Sequence, residues 1–272
     1  MKKTTLSIAA ISLLWCAAAA HRPVSVMPVP ALAAGSGLSI VTLNLAKETG
    51  SARIVSELRA NPVLRDADIL LLQEVKDAAA TEMAAALDLR VEQGQASNSA
   101  EQGLAILSRF PLRDVSVLRL PAYNLGFHSR LRFGIAATAM TPAGPLRVFD
   151  THLDTRLNAT DRLAQIAPIL DAAANASLPV LIGGDFNSNG FYWLGHILPV
   201  PAFRSQSEGI WNFMGARGFH CTLPPSATTF DYLGMHLDWI WGRGVRIGTS
   251  AVYPLRFSDH HAVWTQVALP SL

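Results

Sequence analysis

The sequence predicts an α/β fold built on mixed β-sheets, and three observations support this prediction. Short apolar runs rich in β-branched residues alternate along the chain with stretches in which apolar residues recur at helical spacing. Several neighbouring strands are joined by turns alone, which is typical of mixed or antiparallel sheets. Half of the 272 residues are apolar and only 15% are charged, so the chain can bury a large core.

The first half of the chain contains three predicted strands and two predicted helices. Apolar residues at near-helical spacing predict the first helix, and an Asn–Pro pair ends it. In chain order, these elements are the strand Leu38–Leu43, a helix from Arg53 that ends near Asn61, the strand Ile69–Leu72, the helix Ala78–Leu89 and the strand Leu104–Leu107.

The second half adds six predicted strands and one long helix, which Thr160 or Asp161 can cap. No internal repeat or linker follows Gly37, so residues 37–272 are predicted to form one domain. The elements are the strands Ile135–Met140 and Leu146–Asp150, the helix Asp161–Ala174, and the strands Pro179–Ile182, His236–Trp241, Gly244–Ile247 and Ala262–Ala268.

Residues 1–34 have the pattern of a secretory signal peptide followed by a short leader. Lys2 and Lys3 precede an almost unbroken apolar run, Leu6–Ala20, and small residues recur near Ala34. An uncleaved membrane anchor is the alternative, but this run of about 15 residues is shorter than the roughly 20 that span a bilayer. We therefore expect an exported protein that is cleaved either after Ala20 or near Ala34.

Removal of this segment changes the charge of the chain. The segment carries Lys2, Lys3 and Arg22 and no acidic residue, so 19 of the 22 basic residues remain against 20 acidic residues. A near-neutral mature chain lacks the basic excess that is typical of tight nucleic-acid binders. A local basic groove is still compatible with this total, so the charge weakens a nuclease interpretation without excluding it.

Acidic, amide and imidazole side chains recur at the ends of the predicted strands. A single such residue is usually a turn former or a helix cap, whereas Asp238 lies inside an apolar run and needs a partner or a metal. Strand ends can converge on one rim of a layered α/β fold. The residues concerned are Asn44, Glu74, His152, Asp154, Asp185, Asn187, Asp238, Asp259 and His260.

Carboxylates and amide carbonyls are hard oxygen ligands, which indicates magnesium, manganese or calcium rather than zinc. The sequence contains no H-E-x-x-H helix, no G-x-x-x-x-G-K-[ST] loop, no G-x-G-x-x-G turn and no G-x-S-x-G elbow. A hard metal combined with histidines favours hydrolysis of a phosphate ester, because the metal offsets phosphoryl charge while side chains move protons.

Seven short motifs give the chain a resemblance to the endonuclease/exonuclease/phosphatase superfamily. They follow the family's order between about Leu38 and Val267, and the combination of G-D-F-N with S-D-H is the specific part. The motifs are Thr42–Asn44 (TLN), Leu72–Val75 (LQEV), Gly103–Arg109 (GLAILSR), Thr151–Asp154 (THLD), Gly183–Asn187 (GGDFN), Leu237–Ile240 (LDWI) and Ser258–His260 (SDH).

This resemblance implies a four-layer sandwich of two mixed β-sheets flanked by helices, with the site at one rim. It also implies one or two divalent ions, Mg²⁺ or Mn²⁺. Glu74 would be the principal ligand, and Asn44 and Asp259 would assist it directly or through water. Asp185 and Asn187 would then orient the attacking water and the phosphate.

Two histidines complete the site that the resemblance implies. His260 would contact the phosphate or transfer a proton, with its imidazole oriented by Asp238, and His152 would be the second imidazole beside the phosphate. The chain departs from some nucleases of the family at Ala46, where they carry an aspartate two residues after the asparagine. That auxiliary ligand is therefore missing.

Two segments match the family less closely. Glu101 lies near the position where some nucleases of the family place a carboxylate partner for His152. Between residues 121 and 132, Tyr123, Arg130 and Arg132 are either substrate-contacting residues or solvated loop residues, since an arginine can clamp a phosphate.

A shared fold does not determine a substrate, so three functions stay open. The first is a secreted nuclease, and the second is a hydrolase of phospholipids or small phosphoesters, which suits a near-neutral exported chain. The third is a non-catalytic binding module, which the presence of the principal motif residues disfavours. We expect a monomeric enzyme with a phosphoester substrate, in-line attack of water on phosphorus, and no obligate protein partner.

Overall fold

The computed structural model describes residues 37–46, 50–94, 103–125, 131–202 and 205–270, and in these ranges two β-sheets face each other with helices on their outer faces. The predicted four-layer sandwich of two mixed sheets is therefore confirmed. The predicted leader, residues 1–34, lies outside the described residues, as do Glu101 and Arg130. Among the described residues, no helix is both long and apolar enough to cross a membrane.

The elements follow one another in this order: β1 (Leu38–Asn44), α1 (Ser51–Ala60), α2 (Pro62–Arg65), β2 (Ile69–Val75), α3 (Asp77–Leu87), β3 (Arg90–Gly94), β4 (Gly103–Ser108), β5 (Leu112–Arg119), β6 (Phe133–Thr141), β7 (Gly144–His152), α4 (Ala159–Ala174), β8 (Val180–Asp185), β9 (Phe191–Leu194), β10 (Leu198–Pro201), α5 (Gln206–Gly215), β11 (Asp238–Arg243), β12 (Arg246–Tyr253) and β13 (Ala262–Ala268).

The strands form a six-stranded sheet in the order β12-β13-β1-β2-β4-β3 and a five-stranded sheet in the order β11-β8-β7-β6-β5. One pair in each sheet, β1–β2 and β7–β8, is parallel, and the other neighbours run antiparallel. β9 and β10 form a separate antiparallel ribbon. Because parallel strands end at the same edge, each parallel pair delivers two strand ends to one rim.

The hydrophobic core has three parts that correspond to the three interfaces between the layers. Between the sheets, side chains such as Leu71 and Ile106 pack against Val148 and Leu181. The second part holds α1 and α3 against the six-stranded sheet. The third part lies between the five-stranded sheet and helices α4 and α5, and its largest members are the fully buried Trp239 and Trp241.

One local prediction is confirmed and one needs correction. The helix predicted from Arg53 ends near Asn61 as expected, since α1 ends at Ala60, and the Asn61 side chain accepts a hydrogen bond from the Val63 amide and so starts the short helix α2. Neither Thr160 nor Asp161 caps α4, because Asn158 occupies the cap position. The Asn158 side chain instead binds both backbone groups of Trp193 in the β9–β10 ribbon.

Candidate active site

A pocket opens at the rim where the two parallel pairs end. Seven of the eight predicted site residues line it, and Asp238 lies directly behind His260. β1, β7 and β8 each place a polar residue at their last position, namely Asn44, His152 and Asp185. The residues that line the pocket are Asn44, Ala46, Glu74, His152, Thr155, Asp185, Asn187, Asn189, Phe230, Met235, Leu237, Asp259 and His260.

The Gly183–Gly184 pair is what allows β8 to carry Asp185 into this pocket. A Cβ atom on Gly183 would lie 2.4 Å from Cδ1 of Leu71 in the facing sheet. Gly184 has a φ of +133°, and a Cβ there would lie 2.0 Å from the carbonyl oxygen of Thr151. Larger residues would therefore separate β8 from both the facing sheet and β7.

Asp185 is the most heavily hydrogen-bonded carboxylate of the pocket. Its Oδ1 accepts from the backbone amide of Asn187 at 2.8 Å, and its Oδ2 accepts from the side-chain amides of Asn44 at 2.9 Å and Asn187 at 3.2 Å. Asn187 has a left-handed φ of +50°, which turns the chain back toward this carboxylate. Both asparagines therefore hold Asp185 in one orientation.

Two imidazoles lie beside the Asp185 carboxylate. Nε2 of His152 is 3.3 Å from Oδ2 of Asp185 and 3.9 Å from Oε1 of Glu74, and Nε2 of His260 is 3.9 Å from the same Asp185 oxygen. The structure thus brings together Glu74 from the six-stranded sheet, His152 and Asp185 from the five-stranded sheet, and His260 from the segment that precedes β13, although they are far apart in the sequence.

A chain of hydrogen bonds orients His260. Its Nδ1 lies 2.9 Å from Oδ2 of Asp238, and the hydroxyl of Thr229 donates to the same oxygen at 2.8 Å. The Thr229 hydroxyl also accepts from the amides of Leu237 and Asp238. Since Asp238 holds Nδ1, the other ring nitrogen of His260 faces the pocket.

These neighbours change the pKa values of His260 and Asp185. Burial of His260 opposes its charge, but the negative charges of Asp238 and Asp185 outweigh this effect and raise the pKa of His260 to about 10. Burial raises the pKa of Asp185 to about 7. The positive charge of His260 opposes this increase, and the negative charge of Asp238 adds to it. The pair therefore has a protonated imidazole near neutral pH and a carboxyl group that titrates there.

The donor set fits a hard divalent cation. Glu74 and Asp259 contribute carboxylates and Asn44 an amide oxygen, and such oxygen ligands are preferred by Mg²⁺ and Mn²⁺. Glu74 has a left-handed φ of +56° at an irregularity in the β2–β4 pairing, a strained conformation that is often found at functional sites.

A second group of possible ligands consists of Asp185, Asp238 and His260, whose ligand atoms lie within 4.8 Å of one another. Asp238 is fully buried, and its carboxylate already binds both His260 and Thr229. A cation there would have to displace these partners.

Some residues near the pocket differ from what the sequence indicates. Asp154 lies beyond the end of β7, and its carboxylate binds Arg132 at 2.7 Å and Gln165 at 2.8 Å instead of facing the pocket. Arg132 is thus a partner in a largely buried ion pair, and the Tyr123 hydroxyl donates to the carbonyl of Asp161.

Apart from Leu237, which begins the LDWI motif, the sequence motifs did not identify the apolar side of the pocket. Phe230, Met235 and Leu237 line it, and Phe230 packs against the His260 ring with centroids 4.7 Å apart. Asn189 was also missed, although it follows the G-D-F-N motif by only two residues. Its side chain donates to the carbonyl of Thr155, which also lines the pocket. Such residues lie in irregular segments, where the hydrophobic pattern is uninformative.

Comparison with known proteins agrees with this architecture. The model of the Endonuclease/Exonuclease/phosphatase family matches residues 41–260, and the chain belongs to this family. Members of the family are phosphoester hydrolases, and the chain has their fold. The resemblance drawn from the seven motifs is confirmed. No curated protein matches the chain.

Solved structures with the same fold include an endonuclease/exonuclease/phosphatase from Beutenbergia cavernae DSM 12333, which is 17% identical with a TM-score of 0.65 over 86% of this chain and 72% of that chain. The human Nocturnin catalytic domain with bound sulfate is 18% identical, with a TM-score of 0.66 over 86% and 94% of the two chains. D. rerio TDP2 complexed with single strand DNA product is 17% identical, with a TM-score of 0.64 over 85% and 99%. At these identities the likeness is one of fold alone.

Proposed function

We propose that the protein is an exported, divalent-metal-dependent hydrolase of phosphodiesters, in which water attacks phosphorus in line with the leaving group. The observation that carries this proposal is the pair of imidazoles, His152 and His260, beside the buried carboxylate of Asp185. Imidazole N–H donors suit a phosphoryl group, and a carboxyl group with a raised pKa suits a base. The pocket also holds Glu74 and Asp259, which suit a cation.

Glu74 would be the principal ligand of Mg²⁺ or Mn²⁺, with Asn44 and Asp259 as further ligands. A bound ion of this kind supplies charge neutralisation at the phosphoryl oxygens. The oxygen-rich donor set supports this assignment, as does the excess of carboxylates over cationic groups in the pocket.

The side chains of this chain account for the proton movements. Asp185 accepts a proton from the attacking water, because its pKa of about 7 makes it a base near neutral pH. Asn44 and Asn187 keep its oxygens fixed during this transfer. The new bond joins the water oxygen to phosphorus, and the bond from phosphorus to the leaving oxygen breaks.

His260 is protonated below its pKa of about 10 and donates a hydrogen bond to a phosphoryl oxygen. Asp238 orients the ring and stabilises its charge. His152, whose Nε2 also lies beside Asp185, donates to a second oxygen of the phosphoryl group or to the leaving oxygen. Both roles stabilise charge that increases as the leaving group departs.

The test is hydrolysis of bis-p-nitrophenyl phosphate by the chain from Gly35, with Mg²⁺ or Mn²⁺ titrated against a chelator. We expect activity that requires the metal and returns when metal is added back. Glu74→Gln should raise the metal concentration for half-maximal activity by about tenfold or more, because loss of an anionic ligand weakens cation binding. The matched control is Glu208→Gln, on the exposed side of α5. Full activity in chelator, or an unchanged metal requirement in Glu74→Gln, would contradict the proposal.

Export and the single-domain, monomeric state belong to the same proposal. Residues 1–34 would direct export and be removed, leaving the domain 37–272 without an obligate protein partner. The basic start and apolar run of this segment support export. N-terminal sequencing of the protein recovered outside the cytoplasm should give a start after Ala20 or near Ala34, whereas an intact N-terminus in a membrane fraction would indicate an anchor.

A further inference from the structure

Exposed apolar side chains are concentrated beside the pocket. Seven of the eleven large apolar side chains that are exposed among the described residues lie in only two segments. Five belong to the β9–β10 ribbon, and two belong to the loop that connects Phe230 to Met235. We call these seven residues the apolar rim: Tyr192, Leu194, Ile197, Leu198, Val200, Tyr232 and Leu233.

Both segments are attached directly to residues that line the pocket. The Asn189 side chain accepts from the Phe191 amide and from the indole of Trp193, which fixes the base of the ribbon. Tyr232 and Leu233 lie between the pocket residues Phe230 and Met235. The apolar rim therefore borders the pocket that holds the candidate active site.

Hydrogen bonds also join the chain just before the ribbon to the chain just after the loop. The hydroxyl of Ser188 donates to the carbonyl of His236 at 2.7 Å, and the hydroxyl of Ser207 lies between the Ser188 and His236 carbonyls. The ribbon and the loop are thus held at one side of the molecule. The apolar wall of the pocket, formed by Phe230, Met235 and Leu237, continues toward them.

The composition of the ribbon is better suited to contact with the apolar part of a lipid bilayer than to contact with a protein partner. The segment Phe191–Pro201 contains no Asp, Glu, Lys or Arg, and every residue of β10 is exposed. Cross-strand pairing puts Tyr192, Leu194, Leu198 and Val200 on one face of the ribbon, and the exposed Pro199 and Pro201 lie on the other face, whereas a single protein partner covers one face. The hydrocarbon part of a bilayer can cover both faces. Tyrosine and tryptophan, as in β9, are enriched where proteins meet the membrane surface.

Two prolines make the free edge of β10 unsuitable for strand addition. Pro199 and Pro201 lack an amide N–H, so the donors to β9 must come from Leu198 and Val200, and the outer edge lacks a donor at both proline positions. A second copy or an extended peptide would find few hydrogen bonds there. The same lack of unpaired donors lowers the cost of entering lipid.

We propose that the apolar rim docks onto a phospholipid bilayer and holds the pocket at the lipid–water interface, so that the substrates are phosphodiesters of membrane lipids. This inference rests on the proposed phosphodiesterase function. An amphiphilic substrate fits the pocket, because its phosphoester would face Asp185 and the imidazoles while its apolar part would lie along Phe230 and Met235.

The binding test uses the chain from Gly35, which includes the whole described fold, and flotation with phosphatidylcholine vesicles, with and without phosphatidylglycerol. We expect the wild-type chain to float with the vesicles and Ile197→Asp/Leu198→Asp to bind about tenfold or more weakly, because two inserting side chains become charged. The matched control is Val117→Asp on β5, which also exposes an apolar side chain but lies away from the pocket. Absence of vesicle binding by the wild type, or equal binding by the double variant, would overturn the inference.

Two further measurements separate this inference from the proposed function. Hydrolysis of soluble bis-p-nitrophenyl phosphate should be unchanged in Ile197→Asp/Leu198→Asp, while phosphate-diester cleavage in vesicle phospholipids should fall about tenfold or more in parallel with binding. Absence of activity toward soluble bis-p-nitrophenyl phosphate in the wild type would count against the phosphodiesterase proposal itself. Soluble activity in the wild type without cleavage of any vesicle phospholipid would overturn the assigned substrate class. Sedimentation that shows a wild-type dimer and a monomeric double variant would identify the rim as a self-interface and overturn the membrane assignment.

Discussion

Asp150 and Asp185 lie on the parallel neighbours β7 and β8, and both are shielded from solvent, yet their surroundings differ. Asp185 ends its strand beside two imidazoles and two asparagines, as described above. Asp150 lies two residues inside the end of β7 and accepts a 2.6 Å hydrogen bond from the side-chain amide of Gln73 on β2. The first carboxyl group therefore faces a pocket and two imidazoles, and the second faces the interior between the sheets.

The comparison shows that the neighbouring charges, rather than burial alone, distinguish a reactive carboxyl group from a structural one. Burial raises the pKa of Asp150 well above its ordinary value, against hydrogen bonds from Gln73 and the Thr151 amide. Oδ2 of Asp150 and Oε1 of Gln73 have no hydrogen-bond partner within the described part of the chain, which fits a neutral carboxylic acid with its proton there. At Asp185, His260 opposes the effect of burial and keeps the pKa near 7.

The largest effect is expected for Asp185→Asn. An amide cannot accept the proton of the attacking water, so kcat for a phosphodiester should fall about a thousandfold at saturating metal. The side chains are nearly the same size, so the fold should stay intact, but an amide NH2 cannot accept the hydrogen bonds from Asn44 and Asn187, so the melting temperature should decrease modestly. Steady-state kinetics and thermal denaturation measure the two effects. Asp171→Asn, on the exposed side of α4, serves as the matched control, and equal kcat values in the two variants would contradict the role of Asp185.

A smaller loss is expected for Asp238→Asn, which acts through His260. Removal of the Asp238 charge should lower the pKa of His260 from about 10, so the alkaline limb of the pH–rate profile should move to lower pH. We expect kcat to fall about a hundredfold, since the ring also loses its orientation. The exposed pair of Asp231 and His261, 2.8 Å apart, provides the control Asp231→Asn. An alkaline limb at the wild-type position would argue for a purely structural role of Asp238.

The smallest effect on catalysis is expected for Asp150→Asn, which replaces a neutral acid by a neutral amide. Activity should stay within about twofold of the wild type, because Asp150 lies inside the sheet interface rather than in the pocket. Stability should depend on pH in a characteristic way. The raised pKa means that the folded wild type retains a proton that the unfolded chain loses above about pH 4, so wild-type stability falls as the pH rises from there to the folded pKa.

Asp150→Asn lacks this titration, so its stability relative to the wild type should increase with pH by up to about 1.4 kcal/mol per pH unit over this window. Urea denaturation at a series of pH values measures the difference. A difference that stays constant with pH would mean that Asp150 is not held in its neutral form.

Much of the fold was predictable because each element depends on a local pattern. β1, β2, β4 and β13 carry continuous apolar runs, and they lie close to the predicted positions. The edge strand β5 was not predicted, since its exposed positions carry both polar and apolar residues. The ribbon was not predicted either, because its prolines are typical of a loop. The N-cap of α4 was assigned to the wrong residue, because Asn158 uses its side chain for a distant segment.

For the site, the sequence alone determined the family and the set of polar residues at strand ends, because the motifs are contiguous and their order is a property of the chain. Only the tertiary structure decided how these residues meet. The left-handed turn at Glu74, the contact of Thr229 with Asp238 and the position of Asp154 beside Arg132 each depend on how two sheets and their loops pack. The apolar rim is also a tertiary result, because a run of apolar residues has the same sequence signature whether it is buried or exposed.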